Sequence, residues 1–356
     1  MELLPQAHPR CLTAAAEAAD ASVGARRPVV MVTGGAGFIG CHTVAALVAR
    51  GLHDILLVDN LSSHGYPSSV KSNNLQWLQR LAAKFSANLQ VEHKDITDRM
   101  AMKSLFDNGV DMVCHLAARA GARESVYFPE ACINTNISGT AILLELAALS
   151  ACKNFVFASS GSVYGATTSN LVPRQLMRED IPLGQPLSPY AVSKASAEAL
   201  AGVYHQLYKL PTTGLRFFTI YGPRGRPEMA PFKFMNLIHK GLPIEQYGDG
   251  SSWRDYTFVD DAVDGILAAM DKPHDCEIFN IGAGKPVHLS EFINSLELVM
   301  GCKAIIVQKE EPKGDVVGTF ADIQKSRSML GYNPKVDLKQ GLGRMYAWFR
   351  ESLSSN

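Results

Sequence analysis

This 356-residue sequence carries little that would support charge-driven binding. Lys+Arg and Asp+Glu both count 34, so the formal net charge is zero. Nothing steers the chain towards nucleic acid or an acidic membrane surface. Charged residues make up only 19% against 47% hydrophobic, a balance that excludes an intrinsically disordered chain. No uncharged apolar run approaches the ~18 residues that span a bilayer. Cysteine is scarce and scattered: seven residues, with no C-x-x-C and no Cys/His spacing for zinc. No metal site is expected, and the odd set reads as reduced thiols in a cytoplasmic protein. Cys41 and Cys114 fall where small core residues belong. No internal repeat recurs at a fixed period. Residues 1–27 are Ala-rich, lack apolar patterning and a secretory apolar region, and end at Arg26-Arg27-Pro28. They read as a disordered lead-in. A transit peptide is disfavoured by Glu2, Glu17 and Asp20.

What is present begins at Val29–Gly40, VVMVTGGAGFIG. An apolar run (Val29 to Val32) ends in a glycine cluster, and an amphipathic segment follows from Phe38 to Arg50. That is a buried strand, a tight turn and a helix. Gly35, Gly37 and Gly40 fit G-x-G-x-x-G, and Gly34, Gly37 and Gly40 fit a three-and-three frame equally well. Such glycines let backbone N–H groups approach a pyrophosphate at the positive end of the helix. After a second apolar run, Ile55–Val58, stands Asp59. An acid there accepts hydrogen bonds from an adenosine ribose and repels a 2′-phosphate, which favours NAD over NADP.

Asn60–Asn74 reads as a polar loop at the mouth of the cofactor cleft, and Leu75–Phe85 has helical spacing. A short strand, Leu89–His93, leads to Asp95 and Ile96, placed to contact adenine. A helix is predicted over Asp98–Phe106. The strand Asp111–Leu116 runs into Ala117-Ala118, small residues where backbone passes close to a cofactor. Val126–Ser150 is a long helical pattern broken near Pro129, and Asn154–Ala158 is a strand. Strands alternating with helices imply right-handed crossovers and a parallel sheet covered on both faces. Length alone suggests about two domains.

The second strong signal follows that last strand. Ser159-Ser160-Gly161-Ser162-Val163-Tyr164-Gly165 lies beyond its carboxyl end, where open α/β sheets bind ligands. After a long connection, Ala166–Ser188, a helix starts at Ser188-Pro189 and carries Tyr190 and Lys194. At i and i+4 they share one face. A free tyrosine has a pKa of roughly 10. A nearby ammonium and a positive nicotinamide favour the phenolate. With Ser160 on the same reacting hydroxyl, the three form a relay that takes a proton from an alcohol as hydride leaves its carbon.

Together these residues resemble the extended short-chain dehydrogenase/reductases, within them the NAD-dependent nucleotide-sugar epimerases and dehydratases, over about Pro28 to Ser352. The matching motifs are GGAGFIG (34–40), VDN (58–60), DITD (95–98), HLAA (115–118), NTNISGT (134–140), SSGSVYG (159–165), YAVSK (190–194), WRDYTFVDD (253–261) and FNIG (279–282). The segment 210–234 is most similar to the UDP-glucuronate 4-epimerases.

The resemblance implies an α/β fold: a Rossmann-type doubly wound parallel sheet with a smaller C-terminal α/β substrate domain. It places an NAD-binding domain at 28–220, with 253–284 crossing back to it and a C-terminal helix 338–352 packing on it. The nucleotide-sugar domain would use 221–252 and 285–322. The implied chemistry is reversible oxidation at C4 of a UDP-sugar through a 4-keto intermediate, with Ser160, Tyr190 and Lys194 catalytic. Cofactor contacts are expected from Gly34, Gly37, Phe38, Ile39, Gly40, Asp59, Asn60, Asp95, Ile96, Leu116, Ala117, Ala118 and Asn136, with Tyr190 and Lys194. Thr219 and Arg226 match positions near the hexuronic carboxylate, and Gly161 and Ser162 adjoin them. Arg254 is expected on the diphosphate, Arg123 near the sugar end and Asp315 on the uridine ribose. Lys233, Phe234 and Gln246 complete the substrate set. A homodimer is implied, paired through the helix after Val126 and the Tyr190 helix.

Four positions depart from the pattern: Gly161 for a common serine, Arg224 for a frequent Trp, a glucose-epimerase-like Leu61-Ser62-Ser63, and a longer loop before Glu179. Related dehydratases carry an Asp-Glu pair where Gly161-Ser162 stand, and decarboxylases a Glu at Ser162. Neither acid is present. The competing readings are a UDP-glucose/UDP-galactose 4-epimerase, which usually has Asn at the Thr219 position, and a non-catalytic NAD-binding sensor on the same fold.

Overall fold

A computed structural model describes residues 26–65, 67–165, 176–310 and 318–354. Its strands, in chain order, are β1 (Val29–Thr33), β2 (Asp54–Val58), β3 (Leu89–Glu92), β4 (Met112–His115), β5 (Asn154–Ser160), β6 (Thr212–Phe217), β7 (Thr219–Tyr221), β8 (Ile244–Tyr247), β9 (Trp253–Phe258), β10 (Cys276–Ile281), β11 (Pro286–His288) and β12 (Ile306–Lys309). Seven of them form one parallel sheet in the order β10-β6-β5-β4-β1-β2-β3. The order reverses between β1 and β4, and that switch point opens a crevice beyond their carboxyl ends. The central strands are buried on both faces, so they read as continuous apolar runs and do not alternate. β11, β9 and β7 make a second sheet, and β12 pairs with β8 in a third.

The predicted loop Asn60–Asn74 is only half loop. A helix runs from Ser68 to Phe85, starting after Pro67. Its first turns, Ser-Ser-Val-Lys-Ser-Asn-Asn, have poor helical propensity. Burial of Leu75, Leu78, Leu81 and Ala82 outweighs it, and buried Asn74 donates to the Ala36 carbonyl at 2.9 Å. The stretch after Val126 breaks at Pro129 as expected. It divides into helices Ala122–Tyr127 and Pro129–Ile133, a π-turn Asn134–Gly139 and a helix Thr140–Leu149. Pro129–Leu149 is long and apolar enough by length and composition to cross a membrane, but it carries Glu130 and Glu145, so the expectation of no uncharged apolar run of that length stands, and 44% of its most apolar window is buried in the fold. The C-terminal helix Leu338–Ser354 packs on the helix Leu289–Met300, on β9 and on Phe232, and its Arg344 pairs with Asp260. Cys41 and Cys114 are fully buried. The lead-in lies outside the described residues apart from Arg26 and Arg27.

Gly34 and Gly40 are required by close approach. Gly34 has φ +70, and a Cβ there would sit 2.7 Å from the Ala117 backbone. A Cβ on Gly40 would collide with the Gly34 carbonyl oxygen, which is backbone and cannot rotate away. Gly40→Ala is therefore expected to cost roughly 3 kcal/mol or more, in the range of backbone-strain and overpacking effects, and to empty the protein of NAD. Urea unfolding and the NAD content of the purified variant check this; a wild-type midpoint would contradict it.

Candidate active site

The crevice is built from the glycine turn outward. Gly37 caps the helix Phe38–Arg50 without a side-chain hydrogen bond, and the first turn holds no acid. A helix N-terminus with no acid in its first turn favours an anion, which is how a pyrophosphate would be held. Asp59 is buried, with Oδ2 accepting from Ala36 N–H at 3.2 Å and Oδ1 from Leu61 N–H at 2.9 Å and Lys71 Nζ at 3.1 Å. Each carboxylate oxygen has two lone pairs, so Oδ2 keeps capacity for a ribose hydroxyl. Asn60 donates to Asp95 at 2.7 Å, and Thr97 donates twice to its other oxygen. Burial alone would raise the Asp95 pKa; the hydrogen bonds from Thr97 and Asn60 outweigh it and hold the carboxyl low. These residues suit NAD.

Two expected cofactor residues face inward. Ile96 is buried against Gly139. Asn136 accepts from Arg119 N–H at 2.8 Å and donates to Arg119 O at 3.0 Å and Ser193 Oγ at 2.9 Å. Its amide is spent tying the strand end after β4 to the Tyr190 helix. A related buried chain runs beneath: Thr33 donates to His115 Nδ1 at 2.7 Å, His115 Nε2–H to Thr140 Oγ1 at 2.9 Å, and Thr140 to Asn136 O at 2.6 Å. Burial, with Lys194 adding to it, pulls the His115 pKa to about 3, so this ring is a neutral structural link.

Ser160 ends β5, and the helix Pro189–Tyr208 delivers Tyr190 and Lys194 to the same cleft. The cleft has a volume of about 280 Å³, and Phe38, Ile39, Leu116, Ala118, Phe218 and Arg226 complete its walls with the three. The helix is fixed at its start by Ser188, whose hydroxyl caps Ala191 N–H, and by Ser125, which accepts from Tyr190 N–H at 3.1 Å. Ser160 Oγ accepts from both the N–H and the hydroxyl of Ser162, at 3.1 and 2.9 Å. With both lone pairs used, its own proton is free to point at the Tyr190 phenol.

The electrostatics correct one expectation. Burial pushes the Tyr190 phenol above its ordinary value; the Ser160 hydrogen bond and the Arg226 charge pull it part of the way back. Lys194 is turned to the end of β5. Its Nζ donates to Ala158 O at 2.7 Å and lies 5.8 Å from the Tyr190 ring centre. Burial brings the ammonium down to about 8, against Cys132 and Glu198, which raise it.

At the sugar end, Arg226 lines the cleft, donates to Ala120 O at 3.0 Å and pairs with Glu228. A Cβ on Gly161 would meet Phe218 at an ordinary 3.5 Å, so the common serine would fit there and glycine leaves room. Arg224, in place of the frequent Trp, lies over the Trp77 ring at 4.2 Å and donates to Asn74 Oδ1 at 2.9 Å. That braces the Arg226 loop against the glycine turn.

Several expected substrate residues stand outside this cleft. Thr219 sits in β7 between two residues that line it, Phe218 and Ile220. Phe234 is buried in the core, and Lys233 pairs with Glu245 at 3.8 Å. Gln246 reaches Gly248 O, Arg254 donates to Trp253 O at 2.8 Å, and Arg123 lies over the Tyr247 ring at 5.1 Å. Asp315 lies outside the described residues. Glu198 was not singled out in the sequence. One turn beyond Lys194, it takes a bidentate pair from Arg216 at 2.7 and 2.9 Å and a hydrogen bond from Ser159. Its i+4 spacing from Lys194 was the available signal.

The family model for the NAD dependent epimerase/dehydratase family matches residues 30–282. A UDP-glucuronate 4-epimerase of Thermodesulfobacterium geofontis is 38% identical over 325 residues, covering 91% of this chain and 96% of the relative. Among solved structures, UDP-glucuronic acid 4-epimerase from Bacillus cereus, in complex with UDP-glucuronic acid and NAD, superposes with a TM-score of 0.83 at 32% identity. UDP-glucose 4-epimerase from Thermotoga maritima, with UDP-glucose, gives 0.82 at 33%. Each match covers 91% of this chain and 99% of the other. With its seven-stranded parallel sheet, glycine turn and Ser-Tyr-Lys cleft, the chain belongs to the NAD-dependent epimerase/dehydratase family of extended short-chain dehydrogenase/reductases.

Proposed function

We propose that this protein interconverts UDP-glucuronate and UDP-galacturonate by inverting C4. The observation that carries this reading is the sharing of one cleft by Tyr190 and Arg226, a phenol on one wall and a guanidinium on the other. A guanidinium fork suits a carboxylate. Tyr190 takes the proton of the C4 hydroxyl, Ser160 hydrogen-bonds the reacting oxygen, and Lys194 holds positive charge beneath the tyrosine ring. NAD, when bound, would supply reversible hydride acceptance for C4. Gly34, Gly37, Phe38, Ile39 and Gly40 would hold it, with Asp59 at the ribose. Arg226, with Thr219, Gly161 and Ser162 adjoining, holds the hexuronic carboxylate. That grip matters because a 4-keto uronic acid is a β-keto acid and loses CO₂ when its carboxylate is free to align. Residues 28–220 would bind the cofactor, and 221–252 with 285–322 the nucleotide sugar, Arg254 on the diphosphate and Asp315 on the uridine ribose.

The exposed apolar residues Val192, Val203 and Leu207 lie on one face of the Tyr190 helix by their helical spacing, and Leu149, at the end of a helix packed against it, is exposed as well. A second copy covering this face makes a homodimer. Light scattering at the mass of a dimer supports it, and a monomer at micromolar concentration removes it.

The UDP-glucose/UDP-galactose reading draws on Leu61-Ser62-Ser63 and on the comparable superposition with the Thermotoga enzyme. Time-resolved proton NMR on both sugars, with no NAD added, separates the two. UDP-galacturonate forming only from UDP-glucuronate supports the assignment; conversion of UDP-glucose alone overturns it. Arg226→Ala is expected to lower kcat/KM for UDP-glucuronate about a hundredfold, as loss of a charge-assisted bidentate contact does. The loss on UDP-glucose should stay below about fivefold. Equal losses would remove the carboxylate role.

A further inference from the structure

Behind the cleft wall, three segments meet on one carbonyl oxygen. His64, from the loop after β2, places Nε2 3.2 Å from Ala120 O. Arg226, from the loop after β7, donates to the same oxygen at 3.0 Å. The other ring nitrogen, His64 Nδ1, lies 2.8 Å from Oε1 of Glu124. Glu228 pairs with the same Arg226 nitrogen, and a Cβ on Gly65, the residue after His64, would lie 3.3 Å from its carboxylate. The His64 side chain is only 10% exposed, so water does not replace a lost partner cheaply.

Both partners of this ring are acceptors. A carbonyl oxygen and a carboxylate have no hydrogen to give, and a neutral imidazole has one N–H and one lone pair. Neutral His64 therefore satisfies one partner and turns a lone pair on the other. With Nε2–H on Ala120, Nδ1 is buried and makes no hydrogen bond, and the Glu124 carboxylate stands within ion-pair distance of it. The two contacts coexist when the ring carries both protons. Charged groups from each packed element contend over that second proton. Glu124 draws it on, Arg119 and Arg226 repel it, and Glu228 shares the Arg226 nitrogen that reaches Ala120 O. Burial, the largest influence, acts with the arginines and holds His64 below its ordinary value.

We propose that His64 is a positioning residue for carboxylate recognition: doubly protonated, it bridges Ala120 and Glu124, steadies the carbonyl that anchors Arg226, and adds a second positive charge behind that guanidinium. Loss of one proton opens the bridge and removes the charge. The inference rests on the proposed role of Arg226. Its consequence is discrimination that depends on pH. A uronate carboxylate stays ionised between about pH 5 and 8. Its affinity relative to the neutral sugar therefore follows the charge on His64, strongest at low pH and weakest at high pH.

The test is calorimetric binding of UDP-glucuronate and UDP-glucose to the NAD-loaded protein at about pH 5.5, 6.5 and 7.5. In the wild type the ratio of the two Kd values should shift about fivefold towards UDP-glucuronate on acidification, as one added charge at this range gives. His64→Gln keeps a donor for Ala120 but never charges, so its ratio should be flat and equal to the wild type's at high pH. Glu124→Gln offers an amide N–H to Nδ1, which completes the bridge around a neutral ring and flattens the ratio as well. A wild-type slope retained in His64→Gln overturns the proposal, as does a flat wild-type ratio. Failure of the underlying reading is distinct: Arg226→Ala would then weaken both sugars equally, whatever the pH profile.

Discussion

Tyr190→Phe is expected to lower kcat at least a thousandfold while the purified protein still carries NAD. A positioned acid–base group contributes roughly 10²–10⁴ in rate. The change deletes one oxygen and keeps the ring in its buried place on the helix Pro189–Tyr208. Lys194 stays on Ala158 O, so fold and cofactor crevice survive. The sign of the pH dependence follows from burial. The phenol sits above its ordinary pKa, with Ser160 and Arg226 pulling against that rise. The active phenolate is then the minor form near neutrality. Wild-type kcat should rise with pH across about 6 to 8, up to the pKa of the cofactor-bound phenol, because each unit multiplies the phenolate fraction by as much as ten. The residual activity of Tyr190→Phe should lack that slope. Conversion followed by NMR, beside NAD measured after denaturation, reads both. A variant keeping more than about a tenth of wild-type kcat would remove Tyr190 as the base.

Glu198→Ala is expected to destabilise the fold by about 3–5 kcal/mol, the cost of stripping one partner from a buried ion pair. Glu198 and Arg216 have side chains only 9% and 5% exposed. Burial would lower the Arg216 pKa, and the Glu198 hydrogen bonds and charge more than offset it, so the guanidinium stays ionised. Without Glu198 that cation is left against the Tyr164 ring, 4.7 Å from its centre, and Ser159 loses its acceptor. Such a loss is a large fraction of a typical domain's stability. It also loosens the helix that carries Tyr190 and Lys194 from the strand end that carries Ser160, so activity should fall even where the variant remains folded. Urea unfolding gives the first quantity. A change below about 1 kcal/mol would mean that water reaches Arg216 and replaces the carboxylate.

Much of the catalytic half was legible because its signals are local. The glycine turn is followed at once by its helix. Tyr190 and Lys194 are held on one face by helical spacing whatever surrounds them. Five of the seven parallel strands, β1 to β5, follow from apolar runs alternating with helical patterns, whereas β6 and β10 are added by the tertiary structure. The direction of the shift on Tyr190 was not legible. Charge spacing on a helix suggested that Lys194 would lower it, but burial dominates and Lys194 is turned to a carbonyl. The helix that begins at Ser68 was hidden because Pro67 and a run of Ser and Asn look like a loop. Its reason for being helical is the core beneath Leu75, Leu78 and Leu81.

The substrate half divides differently. Lys233, Phe234 and Gln246 came from motif similarity, and the fold puts Phe234 in the core and the other two on partners away from the cleft. By itself, the sequence determined an NAD-binding parallel sheet and the shared helix face of Tyr190 and Lys194, because nearest-neighbour periodicity and i,i+4 spacing fix those directions before any long-range contact forms. Only the tertiary structure decided that Arg226 and His64, 106 and 56 residues from Ala120, share its carbonyl, and that Glu198 holds both Arg216 and Ser159 at the end of β5. Such meetings depend on how far each crossover carries the chain, a distance set by the packing of whole helices on the sheet.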